Sequence, residues 1–162
     1  MPEVFLGLGS NIGDRNANLK MALELLKKNN IRPVKKSSVY ETGPVGFTGQ
    51  EDFYNMCLLA EAGEGPADLL NIVKEIEAKM GRKKAIKYGP RIIDIDILFY
   101  DNIMIKEKEL SVPHPEIAKR KFVLIPLNEI AGNFVHPELK LSVKELLDRC
   151  GDTGKVNIIG AV

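Results

Sequence analysis

Cysteine is scarce in this chain. Only Cys57 and Cys150 occur, with neither C-x-x-C nor metal-ligand spacing, which argues against a disulfide scaffold or a thiolate metal site. Both are expected as reduced thiols, Cys57 as a core residue. Charge of one sign is not in excess either: 23 Lys and Arg against 22 Asp and Glu leave a net +1. A polyanion binder would carry a basic surplus, so no nucleic-acid partner is expected. No stretch approaches the roughly 20 apolar residues of a membrane span. The start, Met1-Pro2-Glu3-Val4-Phe5, lacks the charged and apolar regions of a signal peptide, so a cytoplasmic protein is expected. Repeats, low-complexity tracts and linkers are also missing. The 162 residues, 44% hydrophobic and 28% charged, therefore read as one soluble globular domain, 1–162.

What is present centres on Tyr88-Gly89-Pro90-Arg91-Ile92-Ile93-Asp94-Ile95-Asp96-Ile97-Leu98-Phe99. From Ile92 the pattern alternates and is rich in β-branched residues, which predicts a strand. Ile93, Ile95, Ile97 and Phe99 share one face; Ile92, Asp94, Asp96 and Leu98 share the other. Residues two apart on a strand lie roughly 6.5–7 Å from each other, so two carboxylates stand side by side. Strands are poor in Asp, and neighbouring carboxylates repel unless a positive charge lies between them. Hard oxygen ligands at this spacing suit Mg²⁺ brought in with phosphates. The alternative is a wet face carrying solvated carboxylates.

The approach to the strand decides between them. Gly81-Arg82-Lys83-Lys84-Ala85-Ile86-Lys87-Tyr88-Gly89-Pro90-Arg91 holds five cations in eleven residues. A cationic run is commonly a solvated loop. This one leads into the carboxylate pair, bringing together the parts of a phosphoryl-transfer site.

Along the chain, Val4–Leu8 reads as a buried strand and Ala17–Lys28 as a helix with Leu19, Leu23 and Leu26 on its apolar side. The glycines between them, Gly7-x-Gly9-x-x-x-Gly13, are too widely spaced for a dinucleotide fingerprint, so a tight turn with Asn11 and Asp14 as local caps is expected. Ile31–Glu41 and Phe53–Glu61 read as strands flanking a breaker-rich loop, Thr42–Gln50. Gly65-Pro66 opens a second helix. Near its end, Glu77 can pair with Arg82 or bind a ligand. Asn55 interrupts an apolar strand, either as a backbone-bonded amide or as a reader of a heterocycle's edge. A turn after Phe99 leads to a short strand, and Val112-Pro113-His114-Pro115 is extended, holding His114 with few conformations. Glu116–Arg120 reads as one helical turn, Val123–Ile130 as a core segment and Val143–Arg149 as a late helix. The order strand–helix–strand–strand–helix–strand predicts a ferredoxin-like α+β fold: an antiparallel sheet with helices on one face, plus C-terminal helical additions.

Gly-Pro-Arg-x-x-Asp-x-Asp-Ile at Gly89–Ile97 resembles the signature of the 6-hydroxymethyl-7,8-dihydropterin pyrophosphokinases of folate biosynthesis. The likeness spans nearly the whole chain: Leu8-Gly9-Ser10-Asn11, Tyr40-Glu41-Thr42-Gly43-Pro44, Phe53-Tyr54-Asn55, Glu77 with Gly81-Arg82, Val112-Pro113-His114-Pro115 and Arg120-Lys121-Phe122. It implies the same fold and transfer of a pyrophosphoryl group from ATP to the pterin's hydroxymethyl group, releasing AMP, by in-line attack on the β-phosphorus. Asp94 and Asp96 then match ligands to two Mg²⁺ ions, and Arg82 and Arg91 match arginines at the phosphates. Glu77, Lys84, Lys87, Ile97, Ser111, His114 and Arg120 match the nucleotide side. Thr42, Gly43, Pro44, Val45, Phe53, Asn55, Tyr88, Asp94 and Phe122 match the pterin side. The two small molecules are the expected partners of a monomer.

Some positions depart from the family pattern. Lys83 and Lys84 stand where arginine is common, Tyr88 where tryptophan is frequent, and Gly43 where proline is common. Glu109 replaces a basic residue and Pro115 an aromatic. The loops Thr42–Gln50 and Arg82–Gly89 are expected to act as lids. Two rivals remain: a non-catalytic RNA-binding module, which would need stacking aromatics where Ile93, Ile95 and Ile97 stand, and a catalytically dead nucleotide-binding regulator.

Overall fold

A computed structural model describes residues 1–44, 49–81 and 90–162. The expected order is present in β1 (Glu3–Ser10), α1 (Arg15–Lys28), β2 (Ile31–Lys36), β3 (Val39–Thr42), β4 (Phe53–Ala62), α2 (Pro66–Lys79) and β5 (Asp94–Tyr100). A ribbon of β6 (Ile105–Lys106) and β7 (Ser111–Val112) follows, then a 3₁₀ turn at Ile117–Lys119, α3 (Lys121–Ala131), α4 (Val143–Arg149) and β8 (Val156–Gly160).

The main sheet runs β5-β1-β4-β3-β8 with every pair antiparallel, and β2 shares the edge of β4 with β3. This is the ferredoxin-like arrangement. Leu19, Leu23 and Leu26 of α1 and Leu69, Val73 and Ile76 of α2 pack on one sheet face against Leu6, Leu8, Leu58, Ile93, Ile95 and Ile97. The C-terminal α3 and α4 cover the other face through Leu124, Leu127, Val143 and Leu146, against Phe5, Cys57, Leu98 and Phe99. Helix starts follow the local chemistry. The Asp14 side chain caps α1 by accepting from the Ala17 N–H at 3.0 Å, and Pro66 occupies the first turn of α2.

Several expectations need correction. The single strand Ile31–Glu41 is broken at Ser37-Ser38. There the Ser37 hydroxyl accepts from the Cys57 N–H at 2.9 Å, and the Glu129 carboxylate takes the Ser38 N–H and, at 2.6 Å, the Tyr40 hydroxyl. Side chains thus satisfy backbone groups that a continuous ladder would have used. Strand β5 begins at Asp94 rather than Ile92, because the Arg91 backbone is bonded to Asn11 instead. Phe99 does not share a face with Ile93, Ile95 and Ile97. The register passes from Leu6↔Ile97 to Phe5↔Phe99, leaving Leu98 as an extra residue, so Leu98 and Phe99 both enter the core under α3 and α4. The core segment Val123–Ile130 is the helix α3, formed despite Pro126 within it. Strand β8 was not expected; five residues beside a charged, glycine-containing stretch carry little periodic signal.

Candidate active site

Two glycines open a cavity on the sheet. Gly7 and Gly9 are two residues apart on β1, so both point to the face under α3. Across the ladder, Gly7 lies between Asp96 on β5 and Cys57 on β4, and Gly9 lies between Asp94 and Asn55. The central strand therefore presents no side chains between a carboxylate edge and an amide edge. The two edges stand two inter-strand spacings apart, roughly 10 Å. The resulting cavity of about 280 Å³ is lined also by Thr42, Gly43, Phe53, Arg91, Leu98, Arg120 and Phe122. Asn55 is nearly buried and donates from Nδ2 to the Thr42 hydroxyl at 2.6 Å, which holds its amide in one orientation at the cavity wall. Phe53 and Phe122 bring apolar ring surface to the same space, and the Arg120 guanidinium lies 5.6 Å from the Phe122 ring centre. The Cys57 thiol is buried there and pushed well above its usual pKa, first by desolvation and then by the charges of Asp96 and Glu129. It stays protonated and is no nucleophile.

Arg91 is held in place by Asn11, which is nearly buried. The Asn11 Oδ1 accepts from the Arg91 N–H at 2.7 Å, and the Asn11 N–H donates to the Arg91 carbonyl at 2.9 Å. The Asn11 Nδ2 donates to Gln50 Oε1 at 2.7 Å and to the Glu51 carbonyl at 3.1 Å. One amide thus ties the end of β1 to the segments entering β5 and β4. Asn11 is a clamp rather than the expected local cap. The Arg91 Nε lies 3.8 Å from Asp94 Oδ1, with the arginine side chain only 11% exposed. A cation and a carboxylate therefore face the cavity together at the start of β5.

A second cavity, about 320 Å³, lies beyond Asp96, which lines both. Glu77, Ile97, Ser111 and His114 line it, as do Glu109 and Pro115. The Glu77 carboxylate is buried and accepts from the Ile95 N–H at 2.8 Å, satisfying the outer edge of β5. His114 is fixed through its own backbone, whose N–H donates to the Leu98 carbonyl at 2.9 Å, and through Nδ1, which accepts from the Glu116 N–H at 3.1 Å. The neutral ring therefore carries its proton on Nε2. Its pKa is lowered, chiefly by burial and also by Arg120, while Asp96 and Glu116 oppose the shift. A neutral Nε2–H donor beside an acidic strand is suited to a phosphate oxygen.

The sequence-predicted residues thus fall into two groups. Thr42, Gly43, Phe53, Asn55, Asp94 and Phe122 gather in the first cavity, with Arg91 and Arg120. Glu77, Ile97, Ser111 and His114 gather in the second, and Asp96 joins the two. Pro44 lines a third hollow next to the first, together with Arg120 and Phe122. Val45, Arg82, Lys84, Lys87 and Tyr88 lie outside the described residues, as do 45–48 of the first expected lid and the whole of the second. Sequence reasoning missed Gly7, Gly9 and the clamping role of Asn11. The signal was available: Gly-x-Gly within a strand places both glycines on one face.

Two adjoining clefts that meet at an acidic strand of a ferredoxin-like sheet define an α+β protein with room for two small molecules side by side. Residues 5–132 match the 7,8-dihydro-6-hydroxymethylpterin-pyrophosphokinase family, and the chain belongs to that family. It is 44% identical over 145 residues to the 2-amino-4-hydroxy-6-hydroxymethyldihydropteridine pyrophosphokinase of Aquifex aeolicus, covering 90% of each chain. It is 42% identical over 127 residues to the enzyme of that name from Bacillus subtilis, covering 78% of this chain and 76% of that one. A mitochondrial folate synthesis bifunctional protein of Pisum sativum is 44% identical over 133 residues, 82% of this chain. The chain spans only 26% of that longer relative. Among solved structures, Plasmodium falciparum HPPK-DHPS superposes with a TM-score of 0.73 at 20% identity, over 92% of this chain and 43% of that one, a likeness of fold. Among the described residues, no helix is long and apolar enough to cross a membrane.

Proposed function

We propose that this chain transfers pyrophosphate from ATP to the hydroxymethyl group of 6-hydroxymethyl-7,8-dihydropterin, yielding the pterin diphosphate and AMP. The observation that carries this reading is the position of Asp96 on the wall common to both cavities. One cavity has an oriented amide and two aromatic rings, which suits a flat, hydrogen-bonding heterocycle; the other has a neutral histidine donor and serine, which suits a nucleotide's phosphates. A donor and an acceptor bound on either side would meet at the acidic strand. Positioning of this kind supplies most of the catalysis in phosphoryl transfer.

Asp94 and Asp96 fit a divalent cation by the chemistry of their donors. Both are partly exposed carboxylates facing the cavity, and among the described residues no third His, Cys, Asp or Glu completes a protein cage. Hard oxygen ligands from only two side chains leave the remaining positions to water and phosphate, as Mg²⁺ prefers. Two Mg²⁺ bound there would neutralise phosphate charge and lower the pKa of the attacking alcohol. The protein's own groups do the rest. Arg91 balances the charge at Asp94 and faces the transferred group, His114 donates Nε2–H to phosphate oxygen, and Asn55 selects the heterocycle's edge between Phe53 and Phe122. Release of AMP requires that the attack fall on the β-phosphorus, and an in-line approach is supported by Asp96 lining both cavities. Arg82, Lys84 and Lys87 are assigned to the triphosphate, and Pro44, Val45 and Tyr88 to the pterin. The chain is read as a single-domain cytoplasmic monomer acting on two small molecules.

Release of AMP from ATP, measured by a coupled assay with Mg²⁺ and the dihydropterin alcohol, tests the reading. The expected result is one AMP per pterin diphosphate, dependent on both Mg²⁺ and pterin. AMP release that ignores the pterin, or none at all, overturns it.

A further inference from the structure

Helix α3 carries Phe122 and follows directly on Arg120, yet it has no cap of its own. Arg120 occupies the capping position without a side-chain acceptor, and no acid stands in the first turn. The missing acceptor comes from a distant part of the chain: Asp152 Oδ2 accepts from the Lys121 N–H at 3.1 Å, while Asp152 Oδ1 accepts from the Gly154 N–H at 2.8 Å. Three residues further, Lys155 touches both ends of the segment joining β3 to β4. Its carbonyl accepts from the Gly43 N–H at 3.3 Å, and its ammonium pairs with Asp52, which raises the lysine pKa. Strand β8 then pairs with β3, Val156 opposite Thr42. Thr42 is the residue that orients Asn55. Asp152, Gly154, Lys155 and Val156 lie beyond 132, where the family match ends.

We propose that the C-terminal arm, Asp152 to Gly160, is a positioning element for the heterocycle cavity. Asp152 sets the start of α3, and so the placement of Arg120 and Phe122. Lys155 and β8 hold Thr42 and Gly43 at the opposite wall. The arm touches neither substrate and acts through these residues. The third hollow, about 450 Å³, lies between them, lined on one side by Asp152, Gly154 and Lys155 and on the other by Thr42, Arg120 and Phe122. The arm contributes no residue to the second cavity and reaches it only through Arg120, so its main effect falls on the ligand of the first. This inference rests on the reading that the first cavity takes the pterin.

The test uses the full chain with Asp152→Ala, Lys155→Ala, and the conservative Lys155→Arg and Asp152→Asn. KM for the dihydropterin alcohol is expected to rise about threefold to tenfold in the alanine variants, the fold-change given by losing an ordinary helix cap. KM for MgATP should stay within about twofold. Lys155→Arg should recover most of the loss, and Asp152→Asn, with one accepting oxygen in place of two, only part of it. Hydrogen exchange supplies a readout independent of turnover: the Lys121 amide, whose acceptor is the Asp152 side chain, should lose protection in Asp152→Ala. Unchanged pterin KM, or pterin and ATP constants that rise together, overturns the proposal. An inactive wild-type chain would defeat the pyrophosphokinase reading instead, and the exchange data would then decide the positioning role alone: unchanged protection rejects it.

Discussion

Gly9 on β1 and Asn55 on β4 face each other so closely that a Cβ on Gly9 would lie 2.5 Å from Asn55 Oδ1. No real Cβ contact is that short, so any side chain at position 9 must turn the amide away. Because Asn55 is also bonded to Thr42, the displacement would break that bond too. Gly9→Ala is expected to raise KM for the pterin at least about tenfold and to cost about 1–3 kcal/mol of stability through overpacking. Steady-state kinetics with a denaturant titration checks both. Wild-type pterin KM in a folded variant would remove Asn55 from the recognition role.

Asp96 borders both cavities, and Asp94 pairs with Arg91. Replacing either by Ala should lower turnover by at least ~10³, since a metal clamp contributes several kcal/mol to the transition state. The assay is run at saturating Mg²⁺. Retention of a tenth of wild-type activity would show that the metal assignment is wrong.

Arg91 is expected to act on the transition state, so Arg91→Ala should lower kcat and kcat/KM together. Asn11→Ala should move the same parameters in the same direction but less, because Asn11 grips the Arg91 backbone and leaves its guanidinium in place. A rise in the ATP KM alone would make Arg91 a ground-state anchor.

His136 offers a pH test away from the site. Its Nδ1 accepts from the N–H groups of Glu138 and Leu139 at 3.1 and 3.0 Å, and its ring stands edge-on to Phe99. Burial lowers its pKa below the ordinary 6.5, against a smaller opposing effect of Glu138. The unfolded chain therefore binds a proton at a higher pH than the folded one. Stability from this group is complete above pH 6.5 and falls as pH drops from there towards the folded pKa. His136→Asn keeps an acceptor in place of Nδ1 and removes the titration. Urea midpoints between pH 7 and 5 should thus decline less steeply in the variant, leaving the slope due to His114. Identical slopes would refute the assignment.

Much of the fold was readable in the chain because local periodicity records burial. The alternation of Ile93, Ile95 and Ile97, the helical spacing of Leu19, Leu23 and Leu26, and Pro66 at a helix start each report one residue's own environment. The carboxylate pair was readable for the same reason: two Asp residues in an apolar strand stand out without knowledge of any neighbour. What only the tertiary structure decided depends on partners far along the chain. The bulge at Leu98 is set by pairing with β1, and the break at Ser37 by Glu129 from α3. The cap of α3 comes from Asp152, and the cavity exists because Gly7 and Gly9 fall between two side-chain-bearing strands. A glycine in sequence is only a missing side chain. It becomes a binding cavity when the sheet places an aspartate on one side of it and an asparagine on the other.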